Sequence, residues 1–407
     1  MINNDLRRVL LWSVFAVSLL MLWDGWLRHT GQPSLFQPAP AASPVAQAAS
    51  GGADNGTASV PTAGGTLATN AAGATPGAEV AAAPAATPSE VLSISTDVLK
   101  VEIDTLGASV VRAEMLQHRA SGEAGGNMVL FDRSAGKTYV AQSGLIGQAA
   151  GDVPTHLTPF KLVSNERTLA EGQDTLVVKL ASDPVAGVQL VRTYTFQRGS
   201  YLVDVRQEVL NQGAAAINPQ LYVQLVRDGS LIHEGPDVWG APQSYTGPAI
   251  YTAEAKFQKV PFEDIQKNDA TFQKSAPDGW VSVVQHYFTS VWLNPASTQR
   301  EFFARQQAGN LYAVGMLFPV GEVAPGASAT VDTQLYMGPQ EEMKLKDIAE
   351  GLELVKDYGW THLLAKPLFW LLFHIHNLVG NWGWSIVLLV VLLKAAFYGL
   401  NASAYRS

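Results

Sequence analysis

Three rhythms of apolar and polar residues follow one another along the chain. The first is an apolar run from Val9 to Trp23, entered through Asn4-Asp5-Leu6-Arg7-Arg8 and prolonged by Gly25, Trp26 and Leu27, with Asp24 as its interruption. A helix from Leu6 to Leu27 would be roughly 32 Å long, enough to cross a hydrocarbon core of about 30 Å. A basic stretch ahead of an apolar run reads either as a cleaved signal peptide or as an uncleaved signal-anchor. No small-x-small site lies just after the run, and Ala46-Gln47-Ala48 is too far downstream to serve a peptidase bound at the membrane. Trp23 and Trp26 sit where an interfacial aromatic belt would be. The pattern therefore predicts a signal-anchor helix over 6–27, with Arg7 and Arg8 keeping the N-terminus in the cytoplasm and the following chain exported.

Within 28–88, the stretch from Gln37 to Pro88 is dominated by Ala, Pro, Gly, Thr and Ser and carries almost no large apolar side chains. Such a stretch cannot bury enough surface to offset its ordering entropy and is expected to be a disordered tether.

The second rhythm begins near Glu90 and has a period of two. Val91–Ser95, Leu99–Ile103, Thr175–Leu180, Val188–Phe196 and Tyr201–Val209 alternate apolar and polar residues as half-buried strands do. Leu106-Gly107-Ala108-Ser109 and Arg198-Gly199-Ser200 supply turn signals, the latter between two strands of a hairpin. Further strands are predicted at Gln220–Val226, Trp280–Leu293, Leu311–Phe318 and Ala329–Tyr336. Many short strands and few helical stretches imply an antiparallel sandwich over 89–340, large enough to be an enlarged sandwich or two fused ones.

The third rhythm is helical. Glu341, Glu342, Leu345, Ile348, Ala349, Leu352 and Val355 fit one closing helix over 341–358, stopped at Tyr358-Gly359. The stretch 361–380 is apolar and aromatic but holds Lys366, His374, His376 and Asn377, which suits an amphipathic helix lying in a membrane interface. After Gly380-Asn381-Trp382-Gly383 a second apolar run predicts a transmembrane helix over 384–401, interrupted only by Lys394. Running outward to inward, it would leave 402–407, with Arg406, as the start of a cytoplasmic region.

Composition narrows the function classes. Formal net charge is −8 over 407 residues, so no basic surplus exists for a nucleic-acid partner. The absence of cysteine removes thiol catalysis, disulfides and cysteine metal sites together. Mean hydropathy of +0.08 with only 15% charged residues fits membrane segments joined to an ordinary globular part.

Particular residues carry a family likeness. Tyr358-Gly359-Trp360, Lys366-Pro367-Leu368-Phe369 and Asn377-Leu378-Val379-Gly380-Asn381-Trp382-Gly383-Trp384-Ser385-Ile386 together resemble the YidC family of membrane protein insertases. Trp23-Asp24-Gly25-Trp26, Tyr139–Leu145, Gly279-Trp280-Val281, Gln285-His286-Tyr287-Phe288 and Gly338-Pro339 agree with it. The resemblance implies an all-β super-sandwich periplasmic domain flanked by transmembrane helices, in the inner membrane of a Gram-negative bacterium. It implies a core of five helices around a hydrophilic groove, with a positive charge on the second transmembrane helix. That charge falls on Lys394, where many relatives carry arginine. Expected partners are nascent membrane proteins, the Sec translocon with its SecDF proteins, and the lipid bilayer. The remaining core helices do not follow Ser407, so the sequence is expected to be the opening section of an insertase or a truncated one. Ribosome contacts would lie beyond it, and no cofactor is called for.

Other chemistry is weaker. A charge within a spanning segment costs several kcal/mol on insertion scales, which leaves Lys394 open between a functional charge and a stem that snorkels to the headgroups; the resemblance implies the groove residue. His374 and His376, at i and i+2, do not share a helix face and read as interfacial polar residues rather than metal ligands. Ser385 and Lys394 are about 13 Å apart along a helix, too far for a protease dyad. Asp228 with His233-Glu234, or His286 in a strand, would be the acid and base of a carbohydrate-active domain, yet their spacing builds no site. Tyr245, Tyr251, Phe257 and Phe262 read as loop anchors before cleft walls. Two other functions stay open: a membrane-anchored carbohydrate-binding or mutarotase-like domain, and an envelope scaffold.

Overall fold

The structure is a computed structural model and describes residues 89–120, 125–134, 136–148, 151–230, 245–356 and 362–398. The predicted anchor helix 6–27 and nearly all of the tether, 28–88, lie outside them, as do His233, Glu234 and Arg406.

Two nine-stranded sheets make up the domain, and every strand pairing within them is antiparallel. The first sheet runs in the order β1 (Val91–Ser95), β2 (Leu99–Asp104), β3 (Ser109–Arg119), β5 (Tyr139–Ile146), β10 (Gln220–Asp228), β17 (Leu311–Pro319), β16 (Arg300–Gln306) and β13 (Ser275–Ala276). β4 (Asn127–Val129) pairs with β3. The second runs β12 (Lys256–Lys259), β11 (Gly247–Thr252), β14 (Trp280–Gln285), β15 (Phe288–Leu293), β18 (Ser328–Pro339), β9 (Leu202–Asn211), β8 (Val188–Gln197), β7 (Thr175–Ser182) and β6 (Phe160–Leu162). The period-two segments supply the strands whose one face is buried: along β9, Val203, Val205, Gln207 and Val209 are buried while their neighbours are not. Their apolar side chains and those of Val101, Ile103, Leu221, Val223 and Leu225 form one core between the sheets. The domain is one enlarged sandwich rather than two fused ones.

Strands buried on both faces were harder to delimit. β14 and β15 are buried at every position and read as one strand, Trp280–Leu293, in the sequence. They form a hairpin in which Gln285 pairs with Phe288 across the two-residue turn His286-Tyr287. Tyr287 takes φ 69° there, with no glycine or asparagine to announce the turn. His286 thus lies in a turn, not within a strand.

The closing helix over 341–358 is broken. α2 (Glu342–Ile348) ends at Ala349, which is extended, and a 3-10 turn (Leu352–Val355) follows Gly351 at φ 73°. A preceding short helix, α1 (Phe262–Gln266), buries Phe262 and Ile265. The break lets Leu345, Leu352 and Val355 all enter the core, and it brings the Glu350 carbonyl within 3.1 Å of Trp280 Nε1. A Cβ on Gly351 would lie 2.1 Å from the Tyr251 ring, so only glycine fits that corner.

Candidate functional site: the C-terminal helical pair

Beyond the sandwich come α3 (His362–Val379) and α4 (Trp382–Ala396). Gly380 ends α3 at φ 69°, its amide donating to the His376 carbonyl at 2.7 Å. Asn381 then caps α4: its side-chain oxygen accepts from Trp384 N at 3.2 Å, and Ser385 Oγ donates to the Asn381 carbonyl at 2.7 Å. Gly380-Asn381 is therefore a two-residue joint whose residue types follow from its backbone. His376 stacks on Trp382, ring centroids 3.9 Å apart, and His374 lies 4.1 Å from Trp370. Both histidines are thus aromatic partners at the joint and along α3.

α4 packs along one row. Ser385 is fully buried, Leu389 and Leu393 are half-buried, and the remaining side chains from Ile386 to Lys394 are exposed. At about 100° per residue, Lys394 points roughly 140° away from the centre of that row. It shares the open face with Val387, Val390 and Tyr398, which are exposed by 49%, 45% and 73%. Ser385, nine residues earlier, faces nearly the opposite way. Lys394 is the single charge in fifteen residues of α4. Among the described residues no helix is long and apolar enough to cross a membrane. α4 as described is about 22 Å long against a core of about 30 Å, and the predicted span 384–401 runs past residue 398, the last one described.

The pair is tied to the sandwich through Lys356. Its Nζ lies 3.8 Å from Glu342 Oε2 of α2 and 4.0 Å from the centre of the Phe369 ring of α3. Burial lowers the Lys356 pKa and the Glu342 carboxylate opposes that shift.

The other predicted chemistry resolves into structure. Asp228 accepts from the Thr138 and Ser230 amides at 3.1 Å each and so fastens the end of β10. The Tyr245 hydroxyl takes Val260 N at 3.1 Å, Tyr251 donates to Glu350 Oε1 at 3.0 Å, and Phe262 packs on Tyr312. These aromatics anchor loops.

Sequence reasoning missed the polar groups inside the sandwich. Arg192, on β8 and fully buried, donates to Gln207 Oε1 at 3.1 Å and to the carbonyls of Ala108 and Ser143 at 3.0 Å, so it binds the two sheets together. Trp292 Nε1 reaches the Gln224 carbonyl at 3.1 Å to the same effect. His156 Nδ1 and Tyr222 Oη lie 2.5 Å apart and are sealed from solvent. Burial, with the Arg305 and Arg192 guanidiniums nearby, pushes the His156 imidazole down to about 4. No local pattern marks these residues, because a β residue's partners come from strands distant in sequence.

Together these features define a two-sheet β-sandwich domain that carries an apolar helical pair, with Lys394 on the open face of α4. The family model described as the YidC periplasmic domain matches residues 91–371. The chain is 46% identical over 404 residues to a membrane protein insertase YidC of Herminiimonas arsenicoxydans, covering 99% of this chain and 69% of that protein. It is 46% identical over 406 residues to the insertase of the same name from Cupriavidus metallidurans, covering 99% and 70%. The chain belongs to the YidC family of membrane protein insertases. A galactose mutarotase related enzyme from Lactobacillus acidophilus aligns with a TM-score of 0.39 at 12% identity, over 61% of this chain and 97% of that one; at that score no property of the enzyme transfers.

Proposed function

We propose that the protein inserts membrane proteins into the inner membrane of a Gram-negative bacterium and helps them fold, alone or beside the Sec translocon and its SecDF proteins. It does so without covalent chemistry. The sandwich stands in the periplasm, held by the anchor 6–27 and the tether 28–88. α3 lies in the outer interface, and α4 extends to residue 401 as the second spanning helix.

The observation that carries this reading is the placement of Lys394. On a helix otherwise free of charge it occupies the face turned away from α3, where further helices of an insertase core would close a groove. A cation in a wet groove lowers the cost of carrying polar or acidic flanks of a nascent chain partway across, while the apolar part slides into lipid. A charge deep in a spanning segment otherwise costs several kcal/mol. Family membership across 99% of the chain supports the same role.

The test is reconstitution. Vesicles holding the protein in its complete reading frame should take up a single-spanning membrane protein made beside them, shown by protection of its translocated end from protease. Uptake no greater than in empty vesicles would refute the proposal.

A further inference from the structure

We infer that the β14–β15 turn, His286-Tyr287, is a membrane-touching tip through which the sandwich rests on the phospholipid headgroup layer beside α3. The inference rests on the reading of α3 and α4 as membrane segments.

Tyr287 is 60% exposed, the highest value for a large hydrophobic side chain among the described residues of the sandwich. Its φ of 69° is one that tyrosine adopts only at a cost of roughly 1 kcal/mol or more. Its ring stacks on the neighbouring His286, centroids 3.7 Å apart, and that contact buries little of it. An exposed aromatic ring kept on a strained turn fits a surface that is apolar on one side and wet on the other, which is where tyrosine concentrates in membranes.

The turn is also aimed, by a relay of contacts that ends on α3. Gln340 N donates to the Tyr287 carbonyl at 2.8 Å, and Gln340 Nε2 donates to the carbonyls of Gln285 and Phe288 at 3.0 and 3.1 Å. Two residues later Glu342 opens α2 and meets Lys356, whose Nζ stands over Phe369 of α3. Met343, beside this junction, is itself 55% exposed. The far end of the sandwich is distant. His118, near the end of β3, lies 5.6 Å from Phe288, whereas Gly107, just before β3, packs on His156. Eleven residues of extended chain put Leu157 roughly 30 Å from the turn.

These 407 residues hold no cysteine, so a single probe can be placed in them once any cysteine elsewhere in the complete protein is replaced by serine. The variants Tyr287→Cys, Leu157→Cys and Val390→Cys, each in the complete protein, would carry a polarity-sensitive fluorophore in nanodiscs of phosphatidylethanolamine and phosphatidylglycerol. Headgroup nitroxide lipid should quench the probe at 287 at least about threefold more than the probe at 157, because interfacial aromatics sit at headgroup level. Mid-chain nitroxide should quench the probe at 390 most. His286→Cys repeats the measurement on the neighbouring residue if the first variant folds poorly. If 390 is quenched while 287 and 286 behave like 157, the tip is refuted and the membrane reading stands. If 390 is not quenched, the membrane reading fails and takes the tip with it.

Discussion

At the scale of single residues the fold is most exposed to change where a buried polar group has distant partners. Arg192 satisfies carbonyls on both sides of the core, and each charge-assisted bond contributes about 1.5–3 kcal/mol, with a similar loss when an acceptor is left unmet. Arg192→Met should therefore lower unfolding stability by about 3 kcal/mol or more, with Arg192→Lys between, since an ammonium cannot reproduce the planar fork. A urea midpoint that moves by less than about 1 kcal/mol equivalent would contradict this account. His156 makes a pH prediction. Its imidazole titrates at about 4 in the folded chain, against about 6.5 unfolded. Above pH 6.5 neither state binds the proton and stability is unaffected. Between 6.5 and 4 the unfolded chain binds it and the folded chain does not, so stability falls as pH falls. Below 4 the loss levels off, on the order of 3 kcal/mol. The Tm difference between the protein and a His156→Gln variant should narrow from pH 7 to pH 4.5; a constant difference would show that His156 is not the group. Neither residue could be singled out from the sequence, whereas Lys394 could, because a cation within an apolar run is a local anomaly.

At the scale of elements, legibility followed exposure. β1, β2, β7, β8 and β9 have one face toward solvent or a partly covered surface, so their alternation is written in the residues. β14 and β15 are covered on both faces, and the alternation that would have located the turn at His286-Tyr287 is lost. The helix after β18 kept its apolar spacing through residues 345–355 while its backbone broke between Ala349 and Gly351, and Leu345, Leu352 and Val355 are all buried across that break. The α3–α4 joint was readable for the opposite reason: Gly380 and Asn381 are the residue types its φ angle and cap require. Asn381→Ala should cost about 1 kcal/mol of α4 stability, seen as faster hydrogen exchange at the Trp384 amide. Unchanged exchange there would mean the cap does not hold the first turn.

At the scale of the whole molecule, two parts that dispose of their apolar residues differently meet at one short junction. The sandwich buries its apolar residues within itself, while α4 leaves its own exposed apart from the half-buried Leu389 and Leu393. An apolar helix of that kind suits lipid better than water, and this contrast supports the proposed role in insertion. The sequence showed the contrast through its three rhythms and through the YidC-like motifs, but not the junction, since Lys356, Glu342 and Phe369 come from three separate elements. Under the proposed function, Lys394 serves insertion by its charge. The most direct test expresses the complete protein in cells depleted of their own insertase and follows protease protection of a dependent substrate. The wild type and Lys394→Arg should restore insertion, and Lys394→Ala, present at equal level in the membrane, should restore markedly less. Equal insertion by the alanine variant would contradict the account.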